Sequence, residues 1–150
     1  MRSCKIITGA LNGGKSTVIS SLIKDDKAPL QGFVSDKDSD GYLLRSLKTG
    51  FTRRYLSKSE KFESRLGRWY LDPSCFDVVI NELGDINRGR VYLDEVGRWE
   101  LSGGGFDSAL KLLVSHDIDL IITVRDDFLD DVIERYGLDN AQIIKTSQYT

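Results

Sequence analysis

Eight residues near the N-terminus, Gly9-Ala-Leu-Asn-Gly-Gly14-Lys15-Ser16, constrain this chain more than any other feature. They match G-x-x-x-x-G-K-[ST] and stand between a β-rich run, Lys5 to Thr8, and a segment with Val18, Ile19, Leu22 and Ile23 at helical spacing. Strand, glycine loop and helix in that order predict a phosphate-binding loop. Chance produces the string in about one per cent of chains of this length and composition, before the flanking elements are required. The residue types follow from the task. Backbone N–H groups must converge on phosphate oxygens, and Gly9, Gly13 and Gly14 allow positive φ and close approach without a Cβ in the way. The helix points its N-terminal partial charge at the phosphates. Lys15 is placed to bridge the β- and γ-phosphate oxygens, Ser16 to ligate Mg²⁺, and Thr17 to touch the α-phosphate. The predicted nucleotide-binding stretch is therefore Gly9, Ala10, Leu11, Asn12, Gly13, Gly14, Lys15, Ser16 and Thr17.

The remainder of the chain fits an α/β fold. From Gln31 to Lys58 short alternating runs are separated by Asp38-Ser-Asp-Gly41 and Thr49-Gly50, which predicts an antiparallel meander. Arg68 to Leu71 adds a strand, and Asp72-Pro73 supplies an N-cap and a first-turn proline for a helix whose core face is Phe76, Val79, Ile80 and Leu83. Then strands alternate with helices: Val91–Leu93, Phe106 to Ser115, Asp119–Val124, Asp126 to Tyr136 closed by Gly137, and Gln142–Lys145. Leu120-Ile-Ile-Thr-Val124 is apolar without alternation, as a central parallel strand covered on both faces requires. The expectation is one domain, 1–150, with a mostly parallel sheet and the meander, about residues 31–58, inserted on it.

Composition sets the outer limits. At 150 residues the chain suffices for one core and is too short for two sizeable ones. Twenty-one Lys+Arg against 23 Asp+Glu and no basic block leave no footprint of a dedicated nucleic-acid binder, although a local patch is left open. No apolar run approaches a membrane span or a signal-peptide core, so a cytoplasmic location is expected. Cys4 and Cys75 lack metal-ligand spacing and are read as reduced, buried thiols; His116 is read as a solvated cation at a helix end.

Arg90-Val-Tyr-Leu-Asp94-Glu95 is an apolar strand ending in two carboxylates, the arrangement called Walker B. In open α/β sheets ligands collect at the carboxyl ends of strands, so Asp94 reaches the edge of the Lys15 loop if the two strands are parallel neighbours. Asp94 would then hold Mg²⁺ through water, and Glu95 would orient or deprotonate the attacking water. The loop Leu101-Ser-Gly103-Gly104-Gly105 is expected to be flexible and to run over the nucleotide. Arg98 and Arg125 fall at the same edge, and either neutralises charge on the transferring phosphate or makes an ordinary salt bridge. Arg45, Arg53 and Arg54, with Tyr42 and Tyr55, read as a solvated strand face, a nucleic-acid patch being the alternative. Trp69 and Trp99 read as packing, with stacking of Trp99 on a base the alternative.

The loop Gly9 to Thr17, the segments Gln31-Gly-Phe, Gly41-Tyr-Leu and Thr49-Gly50, then Asp94-Glu-Val-Gly97, Glu100-Leu, Gly103-Gly-Gly-Phe106 and Thr123-Val-Arg125 together resemble the THEP-type, or cancer-related, nucleoside-triphosphatase family. The most specific element is Asp-Glu-aliphatic-Gly-x-x-Glu, here Asp94 to Glu100. The resemblance implies a three-layer P-loop NTPase with a RecA-like or kinase-like core that hydrolyses several nucleoside triphosphates with Mg²⁺. It assigns Lys15, Ser16, Asp94 and Glu95 the roles above, and leaves any sensing of the terminal phosphate beyond the Leu120 strand to Arg125. The chain departs from the family at Leu11-Asn12, where the phosphate loop usually reads Pro-Gly, and carries Arg98-Trp99 in the variable pair before Glu100.

The expected function is thus a Mg²⁺-dependent NTPase acting on ATP, GTP, CTP and UTP, with no membrane partner and any protein partner unspecified. A small-molecule or nucleoside kinase, with an acceptor pocket formed by the meander and Tyr70, is the second reading. The third is a slow nucleotide-binding switch acting through a partner.

Overall fold

The computed structural model describes residues 1–148. Strand β1 (Ser3–Gly9) runs through the glycine loop into α1 (Lys15–Asp25). Next come β2 (Gly32–Lys37), β3 (Gly41–Ser46), β4 (Thr52–Ser57) and the hairpin β5 (Ser64–Leu66) and β6 (Trp69–Leu71). A 3₁₀ turn, Pro73–Phe76, leads into α2 (Asp77–Leu83). The second half is β7 (Arg88–Val96), the one-turn α3 (Arg98–Leu101), α4 (Asp107–Leu113), β8 (Asp117–Arg125), α5 (Leu129–Tyr136) and β9 (Gln142–Lys145). Among the described residues the strands make one sheet in the order β5-β6-β4-β3-β2-β7-β8-β1-β9. Pairing is parallel from β2 through β7, β8 and β1 to β9, and antiparallel from β2 outward to β5.

Strand alternation sorts the apolar side chains into two layers. Ile6, Val91, Leu93, Leu120 and Ile122 face one side, where they pack with Val79, Leu83, Ala109, Leu110, Leu113 and Val132 of α2, α4 and α5. Ile7, Tyr92 and Ile121 face the other, against Val18 and Ile19 of α1. Helix, sheet and helix make three layers, and the continuous apolar run of β8 is buried on both faces.

That burial corrects one expectation. β1 and β7 are parallel but not neighbours, because β8 lies between them and pairs with both. The most uniformly apolar strand takes the position where both edges and both faces are covered. The predicted meander continues the core sheet, because its first strand, β2, pairs in parallel with β7. The hairpin of β5 and β6 extends it further.

Local differences have local causes. The helix expected after Asp72 begins as a 3₁₀ turn, and the Asp72 side chain makes no cap, accepting instead from Arg53 and Ser74. The α-helical part starts only at Asp77, and Ile80 is left exposed while Val79 and Leu83 are buried. His116 is half-buried with Nδ1 against the Ile86 carbonyl at 2.7 Å, so its ring is tied to the fold rather than free in solvent. Cys4 and Cys75 are buried free thiols, and burial pushes both up to about 12. Among the described residues no helix is long and apolar enough to cross a membrane.

α4 is tied to α5 by a buried carboxylate. Asp107 accepts from Arg135 Nε at 2.8 Å and Tyr136 Oη at 2.6 Å, and pairs with Lys111 at 3.1 Å. These partners, Arg135 first, hold its carboxyl well below the ordinary range despite burial. A depressed carboxylate adds stability above its unfolded pKa of about 3.9 and loses it as pH falls toward the folded value. Asp107→Ala is expected to cost about 2–3 kcal/mol at pH 7, less than a fully enclosed pair because Arg135 and Lys111 keep contact with water. Urea denaturation checks it: the gap to wild type should narrow below pH 4, and a pH-independent gap would refute the ion-pair account.

Candidate functional site

The loop after β1 opens at the carboxyl edge of the parallel strands, with Gly9 in register with Arg125 of β8. Two of its residues adopt left-handed backbone, Asn12 at φ 60° and Gly14 at φ 95°. Asn12 stands in the Leu11-Asn12 pair where the resembling family has Pro-Gly. Asparagine is among the few residues that tolerate this region, so the departure preserves the turn. The loop closes on itself through Gly13 N–H to the Ala10 carbonyl at 2.8 Å, and α1 starts with Val18 N–H on the Gly14 carbonyl at 3.1 Å. Lys15 is only 6% exposed, and its Nζ donates to the carbonyls of Ala10 at 2.8 Å and Gly9 at 3.4 Å. The ammonium is thus held beneath the loop by its own backbone carbonyls.

Across the sheet edge, Asp94 is 2% exposed. One carboxylate oxygen accepts from Thr123 Oγ1 at 2.6 Å and the other from Ser35 N–H at 3.2 Å. It has no ion-pair partner among the described residues. Burial pushes its carboxyl up, opposed by the Thr123 hydroxyl and by the Ser35 and Glu95 amides. Thr123 serves both acids, because its Oγ1 also accepts the Glu95 N–H at 2.7 Å. The β7–β8 register breaks between Leu93 and Val96, and Glu95 is held at φ 65°. A non-glycine residue there stores strain of order 1–3 kcal/mol, and the bond to Thr123 helps keep it in place. The Glu95 side chain remains open to solvent but stands between cleft walls. Those walls and the Asp94 charge push its carboxyl up, opposed by Lys15, Arg125 and Lys37.

Two clefts meet at Glu95. One, about 410 Å³, is lined by Leu11 through Thr17 together with Ser35, Asp36, Lys37, Tyr42 and Glu95. The second, about 510 Å³, shares Leu11, Asn12, Lys15, Lys37, Tyr42 and Glu95 and continues between β3, the β5–β6 turn and α3. Arg98 and Arg125 both line this second cleft. Arg98 is exposed and has no ion pair among the described residues. Arg125 pairs with Asp127 at 3.0 Å and lies 4.7 Å over the Phe128 ring.

The glycine run beyond α3 is not a flexible cover. Its amides bond back to α3, Gly103 to Glu100 and Gly104 to Trp99, both at 3.0 Å. A Cβ at Gly104 would run into the Trp99 indole, and one at Gly105, at φ 56°, into the Glu100 carboxylate. Glu100 is 2% exposed and accepts from Gly97 N–H at 2.8 Å and Phe106 N–H at 3.0 Å, so it pins both ends of the turn. Burial pushes its carboxyl up to about 7. The glycines therefore answer to Trp99 and Glu100.

The structure brings the predicted Leu11–Thr17 stretch and Glu95 around one cleft, with Gly9 and Ala10 behind it as acceptors for Lys15. The arginines of the meander do not join them: Arg45 pairs with Asp36, Arg53 with Asp72 and Arg54 with Asp38. Tyr70 lies under Arg65 and lines neither cleft; Trp69 faces the larger one instead. Sequence reasoning missed Lys37, which reaches the site only because β2 is parallel to β7, and Thr123, whose hydroxyl matters only once β8 lies between β1 and β7. A polar residue inside the apolar run Leu120 to Val124 was the available signal for Thr123.

A glycine loop leading into a helix, on a sheet with one strand between the loop strand and the acidic strand, defines a P-loop nucleotide-binding fold. A family model described as NTPase matches residues 4–147. The chain belongs to that family, the THEP-type P-loop NTPases. Its fold is similar to the crystal structure of THEP1 from the hyperthermophile Aquifex aeolicus, with a TM-score of 0.78 and 20% sequence identity over 95% of this chain and 89% of that one. Comparison with curated proteins finds no match.

Thr123→Val keeps the shape of the side chain and removes its hydroxyl, leaving the Glu95 amide without its acceptor and an Asp94 oxygen without its donor. Turnover is expected to fall roughly ten- to a hundredfold with KM for nucleotide little changed. Steady-state kinetics checks this, and wild-type turnover would show that Thr123 positions neither acid.

Proposed function

We propose that the chain hydrolyses nucleoside triphosphates to the diphosphate and inorganic phosphate, with Mg²⁺ and little preference for the base. The observation that carries this reading is the single cleft that joins the loop residues Leu11 to Thr17 to Glu95. In it the backbone amides of the loop and the start of α1 bind phosphate, Lys15 turns from its two carbonyls to the β- and γ-oxygens, and Thr17 contacts the α-phosphate. Glu95 orients the attacking water and takes its proton; Arg125 offsets charge on the transferred group, and Arg98 approaches it from the wall of the adjoining cleft. Recognition rests on phosphate, which ATP, GTP, CTP and UTP share. Residues 1–150 act as one domain in this reading, with the antiparallel strands forming a wall of the site.

The donors present suit a hard cation. Asp94 is a buried carboxylate with no countercharge among the described residues, and Ser16 presents a hydroxyl at the first turn of α1. Both are oxygen donors of the kind Mg²⁺ takes, and no three His, Cys, Asp or Glu side chains cluster to cage a metal among the described residues. Asp94 and Ser16 would hold the ion together with phosphate and water. When bound, Mg²⁺ neutralises charge on the phosphate oxygens.

Phosphate release from each of the four triphosphates, with Mg²⁺ and with chelator, tests the reading. Similar rates across bases and loss in chelator are expected. A rate for one base more than a hundredfold above the others would overturn the loose specificity, and undiminished release in chelator would overturn the metal requirement.

A further inference from the structure

Hydrolysis gives a task to Lys15, Glu95, Arg98 and Arg125 of the larger cleft but none to its aromatic walls. A nucleophilic water needs about 30 Å³, whereas this cleft holds about 510 Å³, within the range of small-molecule sites. Its walls are aromatic: Trp99 packs edge-on to Phe76 at 4.6 Å and parallel to Tyr55 at 6.3 Å, and Tyr42 meets Trp69 edge-on at 5.7 Å. Its floor carries Lys15 and Glu95, and Arg68 and Arg98 stand in its wall. Ser16 and Thr17 line only the smaller cleft. Leu11, Asn12 and Lys15 line both clefts. With the β- and γ-phosphates on Lys15 and the α-phosphate on Thr17, as proposed above, the γ end of the tail faces the larger cleft and the base lies away from it.

We propose that this aromatic cleft is an acceptor site for a nucleoside-sized, ring-bearing alcohol, to which the γ-phosphoryl group is transferred in place of water. This rests on the placement of the triphosphate given above. Aromatic walls take a planar ring by stacking, and Arg68 and Arg98 meet its polar substituents. The acceptor hydroxyl oxygen bonds to the γ-phosphorus while the bond from that phosphorus to the β,γ-bridging oxygen breaks. The electron pair leaves on the nucleoside diphosphate, and the hydroxyl proton passes to the Glu95 carboxylate. The products are a nucleoside diphosphate and a phosphate monoester.

The test uses the full chain with γ-labelled ATP and Mg²⁺ and a panel of adenosine, guanosine, cytidine, uridine, thymidine and pyridoxine. With a compound that fits, diphosphate formed should exceed phosphate released at least twofold, the difference appearing as labelled monoester. Leu66→Trp, which fills the cleft from β5, should return that ratio to one, with circular dichroism confirming the fold. A ratio of one for every compound would overturn the acceptor site and leave the triphosphatase reading standing. Absence of any diphosphate would overturn both. A several-fold higher KM for ATP in Leu66→Trp would place the donor's base in the cleft and overturn the proposal.

Discussion

Lys15→Ala should lower kcat/KM for every nucleoside triphosphate by roughly a hundred- to a thousandfold, the loss typical of removing one preorganised donor to developing charge. The side chain is built in advance. It is buried, and its ammonium already rests on the Gly9 and Ala10 carbonyls, so little reorganisation separates that position from a phosphate oxygen. Alanine removes the charge without disturbing the loop's own bond from Gly13 to Ala10. The variant should therefore melt within a few degrees of wild type while binding nucleotide poorly. Titration calorimetry beside the kinetics decides the matter: wild-type affinity in Lys15→Ala would remove the lysine from the phosphate site.

Glu95→Gln should separate binding from chemistry. Glutamine has nearly the same shape and leaves the amide bond to Thr123 available, but it cannot accept a proton. A loss of roughly 10²–10⁴ in kcat is expected, the usual contribution of a general base, with nucleotide affinity held within a few-fold. Removing a negative charge beside the terminal phosphate, if anything, tightens binding. In wild type the cleft walls and Asp94 push the Glu95 carboxyl up, so kcat should fall as pH drops through a midpoint above the ordinary glutamate range. Glu95→Gln should lose that acid limb. A variant with unchanged kcat would show that another group activates the water.

Much of this was legible from periodicity and punctuation. The phosphate loop declared itself by glycine placement and by the strand and helix around it, and β8 by an apolar run with no alternation. The stop at Gly137 was equally local, and α5 ends there. The glycine run after α3 shows where such reading fails, since its composition matches that of a mobile loop. Only the approach of Trp99 and Glu100 in space turns it into a pinned turn.

What the sequence by itself determined is the short-range chemistry: which backbone can turn, which helix starts at the glycine loop, which strand ends in acids. These depend on residues within a few positions of one another. The tertiary structure alone decided that β8 separates the loop strand from the acidic strand, that β2 brings Ser35 and Lys37 to the site, and that aromatic residues from β3, β6 and α3 enclose a second cleft beside Glu95. Strand order is set by which strands can bury both faces and both edges, a competition among segments distant in the chain that no local pattern records.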